Sequence, residues 1–192
     1  MTRRRLTGLA VLLALAAAVF ATATLAGGSS SGSFGRTDIQ VRDDCDPRDP
    51  AWNMVGGCSI RRELGSVSFA EFNGELDSPL AAAVVGHQAW RNEPSYLKIE
   101  RGFAVRVTNT GGRPHTFTRV AQFGGGKVPN PALNEGLMTA PECPGSLDML
   151  PGQSIELTGL AVGNHRFMCC IHPWMRALIK VQPGAGSPDG GH

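Results

Sequence analysis

Charge is scarce in this chain. Only 18% of its 192 residues are Asp, Glu, Lys or Arg, and the formal net charge is +2. Three of the cations, Arg3, Arg4 and Arg5, precede an apolar run, and without them the balance is −1. No basic stripe remains, which excludes nucleic acid as a partner. Aromatic residues are also few, at 6%. No Ser/His/Asp or paired-carboxylate arrangement stands out, so the expectation is a protein that is not an enzyme. No cysteine closes the apolar run, which removes a bacterial-type lipidation site, and no internal repeat is visible. Glycine (25) and proline (13) are abundant instead, a composition that suits a loop-rich β protein.

The opening "MTRRRLTGLAVLLALAAAVFATATLAGG" places arginines before an apolar run and small residues after it. This reads as an export signal over residues 1–26, cut after Ala26. "TRRRL" also approximates a twin-arginine signal. Left uncut, the run of about 20 residues would span a bilayer, so a membrane is a partner only if the segment is retained. An exported chain, periplasmic or extracellular, meets an oxidising compartment where disulfides persist. Five cysteines are an odd number. One thiol is left over for chemistry, or a bridge forms between molecules.

Residues 27–42 read as a flexible linker opened by "GGSSSGSFGRTD", and 183–192 as a similar tail. Between them, residues 43–87 read as a helical and irregular extension packed on the domain. There, Ser68 and Glu71 fit a capping box, with Phe69, Phe72 and Leu76 on one helical face. Pro79 opens a second short helix, "PLAAAVV", ended by Gly86. After Trp90 the apolar period changes to two. "YLKIE", "FAVRVTN", "HTFTRVA", "SIELTGL", "NHRFMCC" and "RALIKVQ" alternate between turn-rich stretches, the pattern of a β-sandwich or barrel over residues 88–182.

The chemistry concentrates in "HRFMCCIHPWMRALIKV". Cys169, His172 and Met175 are each three apart and offer a thiolate, an imidazole and a thioether, soft donors suited to one copper ion. A trigonal site needs a second imidazole, and His115, which opens a strand after the turn in "GGRPHTFTRV", is the best placed. Strand alternation sends Phe167 and Cys169 to one side and Arg166, Met168 and Cys170 to the other. Cys170 then belongs with Cys45, Cys58 and Cys143, which allow three pairings. The favoured one closes a local loop with Cys45–Cys58 and leaves Cys143–Cys170. Plainer readings stand beside this one: a vicinal Cys169–Cys170 disulfide, a structural Cys169, or Met175 as core packing. His87, His165 and His192 are assigned no role.

The C-terminal stretch resembles the ligand loop of the cupredoxins, the blue copper proteins, in the Cys-x-x-His-Pro-x-Met form of the amicyanin and plastocyanin-like group. "VRVTNTGGRPHTFTRV" resembles the strand and turn carrying that family's first histidine. The resemblance covers roughly residues 88–182. It implies an all-β, Greek-key β-sandwich, here with an N-terminal helical extension. It implies copper held by His115, Cys169 and His172 with a weak axial Met175, single-electron transfer by a monomer, and a transient redox partner meeting the edge of His172 beside Pro173 and Trp174. Thr116 stands where several relatives have asparagine, and Ala177 where glycine is common. The sequence also admits a copper carrier or storage protein built on the same ligands, a copper enzyme, or a metal-free binding module.

Overall fold

In a computed structural model, the described residues are 35–59, 66–76 (side chains to 74), 90–130, 134 and 136–184. The export signal, the Gly/Ser start of the linker, the second helix, His87 and His192 lie outside them. Strands form where one member of each alternating pair finds the core. They are β1 (Arg36–Arg42), β2 (Arg91–Glu93), β3 (Tyr96–Glu100), β4 (Ala104–Asn109), β5 (Thr118–Val120), β6 (Ser154–Leu157), β7 (Gly163–Met168) and β8 (Arg176–Gln182). One sheet has the order β2-β1-β4-β6 and the other β3-β8-β7-β5. Both are mixed: β1 runs parallel to β4 and β3 parallel to β8, while the other neighbours are antiparallel.

The sheets share one apolar core. Ile39, Val41, Val105 and Val107 of the first pack in the same cluster as Ile99, Phe167, Ala177, Ile179 and Val181 of the second. The result is a β-sandwich with very little helix. Each fully buried aliphatic side chain contributes about 1.5–3 kcal/mol, so a charge at Val107 would break the sandwich where it is driest.

Strand β1 departs from the expected linker over residues 27–42. Ile39 and Val41 are fully buried while Asp38 and Gln40 face out, so the segment is an interior strand between β2 and β4. The signal was a short alternation inside a polar stretch. Its partner β4 lies far along the chain, and a parallel pairing leaves no turn signature to read.

The chain after β1 packs against the sandwich. A short 3-10 turn (Pro50–Val55) buries Trp52, and helix α1 (Phe69–Leu76) buries Phe72. The α1 start is a reciprocal cap: the Ser68 hydroxyl and N–H both donate to Glu71, and the Glu71 N–H donates back to the Ser68 hydroxyl. Trp52 stacks on Trp90 at 5.8 Å, and Phe72 meets Trp90 at 4.7 Å and Trp174 at 6.0 Å. Two disulfides, Cys45–Cys58 and Cys143–Cys170, have Cα separations of 5.6 and 5.3 Å. Cys169 is a free, buried thiol.

Candidate metal centre

The adjacent cysteines part company at the end of β7. Cys169 sits in the core between the sheets with Phe167, and Cys170 sits in a second cluster with Met168, Val120, Phe123 and Cys143. Pleating separates the sulfurs, and the Cys143–Cys170 bridge then occupies the outer one.

The chain beyond Cys169 folds back on itself. The Cys169 N–H donates to the Met175 carbonyl and the Met175 N–H to the His172 carbonyl, both at 2.9 Å. These bonds return the His172 ring to the thiol it follows by three residues. Arg176, itself buried, holds the bend from outside: its Nε donates to the Pro173 carbonyl at 2.9 Å and its guanidinium lies over Phe123.

His115 arrives from the other direction, where a one-residue bridge to Met149 fixes the chain after the turn at 111–114. Its Nδ1 stands 3.7 Å from the Cys169 sulfur and 3.1 Å from His172 Nδ1, and His172 Nδ1 is 3.6 Å from the same sulfur. Among the described residues, these three are a group whose donor atoms lie within 4.8 Å of one another. His115 and Cys169 are fully buried and His172 is half-buried. Met175 is fully buried in the same core cluster.

Thr116 holds the two cysteines at two points. Its backbone N–H donates to Cys169 Sγ at 3.3 Å, and its hydroxyl accepts the Cys170 N–H at 2.7 Å. The second bond ties the ligand loop to the β5 side with a hydroxyl.

Asp43, one residue past β1, was read in the sequence only as the start of the helical and irregular extension over residues 43–87. It is 2% exposed, and its Oδ2 accepts from His115 Nε2 at 3.0 Å. The same carboxylate accepts the Gly112 N–H at 2.7 Å and the Arg113 N–H at 2.9 Å. A Cβ at Gly111 would stand 2.6 Å from its Oδ1, so the turn needs glycine there.

These contacts perturb the ionisable groups. Burial pushes the Cys169 thiol up, but the hydrogen bonds and charges of His115 and His172 outweigh it and hold the thiol well below its ordinary range. Burial pulls His115 down, yet its bonds to Asp43 and Cys169 raise it to about 9. Asp43 is held low: burial raises it, and the His115 and backbone N–H bonds overcome that.

The half-buried side of His172 is framed by indoles, Trp90 at 5.3 Å and Trp174 at 5.4 Å, both edge-on. Pro173 and Trp174, expected as a contact surface for a partner, are themselves buried. Trp174 is covered by the segment before Trp90, whose Phe69 and Phe72 line this end and whose Phe72 meets the indole at 6.0 Å. Together with Val55, Asn73, Trp90 and Arg113 they turn the face of His172 and Trp174 into a cleft.

No protein-family model matches the chain, and no curated protein matches it. Solved structures do. A purple cupredoxin from Nitrosopumilus maritimus is 21% identical, with a TM-score of 0.35, over 53% of this chain and 90% of its own. A reduced amicyanin variant is 26% identical, with a TM-score of 0.32, over 47% and 71%. Its structural neighbours are cupredoxins. The pseudoazurin of Methylobacterium extorquens AM1 is 10% identical, with a TM-score of 0.37, over 79% of this chain and 78% of its own. The β-sandwich described above rests on this chain's own sheets and core.

The donor set itself tests whether copper fits. Two imidazole nitrogens and a thiolate face one another, two of the three residues fully buried, and Met175, buried in the same core cluster, carries a thioether that suits copper and is a poor ligand for zinc. The His115 ring is already turned by Asp43 so that Nδ1 faces the sulfur. The residues present fit the ion.

Proposed function

We propose that this protein is an exported, monomeric carrier of single electrons. One copper ion would be held by His115, Cys169 and His172, with the Met175 thioether as a further, weaker donor. The observation that carries this reading is the convergence of His115 Nδ1, Cys169 Sγ and His172 Nδ1 inside the protein, within 4.8 Å of one another. Bound copper supplies a Cu(I)/Cu(II) couple that a thiolate and two imidazoles serve in both states. The chain's part is to keep those donors still and dry. The Thr116 N–H steadies the thiolate, the Cys143–Cys170 bridge and the Thr116 hydroxyl fix the loop, and the Trp90 and Trp174 indoles exclude water around His172.

Electrons would pass at the half-buried His172, through a small and transient contact with a redox partner at the aromatic cleft that Trp174 helps to line. Export is supported by the signal-like first 26 residues and by two disulfides. A copper carrier that hands over its ion needs ligands a recipient can reach. Full burial of His115 and Cys169 favours retention instead.

Adding Cu(II) to the purified protein should give an intense thiolate-to-copper absorption with narrow EPR hyperfine splitting, and Cys169→Ser should abolish both. Voltammetry should be reversible with no loss of ion. A colourless titration refutes copper binding of this kind, and release of the ion on each reduction refutes the electron carrier in favour of the copper carrier.

A further inference from the structure

The first imidazole of the site is anchored by a residue outside the stretch that resembles a cupredoxin. Asp43 follows β1, 72 residues before His115. It is buried, and its two oxygens take three N–H donors, from His115, Gly112 and Arg113. Each of those donors lies in the turn or at the ligand that ends it. A carboxylate only accepts, so the His115 nitrogen that faces it carries the hydrogen and the other nitrogen is left to a metal. The segment is held in turn: the Arg113 guanidinium donates to the carbonyls of Val55 and Gly57, next to the Cys45–Cys58 bridge. Asp43 and the turn 111–115 are therefore clamped from both sides.

We propose that Asp43 is a positioning residue for the metal, fixing the His115 ring with Nδ1 inward and placing a buried negative charge one imidazole away from the ion, where it favours Cu(II) over Cu(I). This rests on the copper reading above. The consequence is that the segment after β1 sets the redox behaviour of a site to which it contributes no ligand.

The test compares wild type with Asp43→Asn, which keeps the shape and removes the charge, and Asp43→Ala, which removes the acceptor. Loss of such a partner costs about 10–100-fold in metal affinity. The Cu(II) affinity of Asp43→Asn should fall within that range while its Cu(I) affinity moves less, and each tenfold of difference raises the potential by about 59 mV. In metal-free wild type, nitrogen-edited NMR should show a downfield, slowly exchanging Nε2–H on His115, and Asp43→Ala should lose it. A variant with a lowered melting temperature but an unchanged potential and copper spectrum would overturn the proposal, leaving Asp43 as a turn clamp only. If the variants do not fold, the wild-type ring proton decides: exchange at the solvent rate overturns the assignment. If wild type takes up no copper, the functional reading fails, and the ring-proton comparison still tests the orientation of His115 by itself.

Discussion

Replacing both Cys143 and Cys170 with alanine isolates what the second disulfide does for the site. The bridge closes a loop with a sequence separation of 27. Constraining a loop of that length in the unfolded chain is worth about 3.5 kcal/mol at 25 °C by the chain-entropy relation. Alanine is the better replacement because both positions are fully buried, where a serine hydroxyl without a partner would add about 1–3 kcal/mol of its own. For a domain of this size, about 2–4 °C of melting temperature follows each kcal/mol. The melting temperature of the double variant, followed by near-ultraviolet circular dichroism without metal, should fall by about 7–14 °C. Below that transition the variant should still bind Cu(II) with the thiolate absorption intact, because Cys169 faces the opposite cluster. A folded double variant that has lost the absorption would refute the separation of the two sulfurs. An unchanged melting temperature would refute the bridge as a stabiliser of the loop.

Three further outcomes follow from single contacts. Thr116→Val leaves the Cys170 N–H without its acceptor and should cost about 1–3 kcal/mol in urea denaturation, while the backbone bond to Cys169 keeps the copper absorption; bleaching would contradict this. Gly126→Ala places a Cβ 2.3 Å from the Cys170 carbonyl oxygen, so the two loops must separate at a cost of about 1–3 kcal/mol, with amide shifts concentrated at residues 169–173. The Glu71 carboxyl is held below its ordinary value of 4.5 by the Ser68 N–H and hydroxyl. Its folded pKa is depressed, so the stability it adds is complete above that value and is lost as acid takes the pH down through the lower, folded one. Glu71→Gln should remove this part of the acid dependence, read by urea denaturation repeated from neutral to acid pH.

Much of the sandwich is legible in the sequence because burial and period coincide. Val105 and Val107 face the core while Arg106 and Thr108 do not, and the same pattern marks β8. The capping box of α1 is legible because its two partners are three residues apart. The meeting of His115 with the ligand loop was readable only through the resemblance and the expectation that their strands lie together, since 54 residues separate His115 from Cys169. Asp43 was not readable at all. An acidic pair after a short alternation looks like surface, and only the fold brings it to a histidine 72 residues away. The burial of Trp174 escaped for a related reason: the cover comes from Phe72, whose helix was visible but whose docking place was not.

Strand β1 also decides how far this protein can be shortened. A chain beginning at residue 88 would keep every sulfur and imidazole of the proposed centre and still lose the strand that β2 pairs with, together with Ile39 and Val41. Strand β4 would then show six residues of bare edge along its former parallel partner, an invitation to pair with other molecules. A shortened chain that keeps the first sheet whole therefore starts ahead of Arg36, well before the stretch that carries the ligand loop.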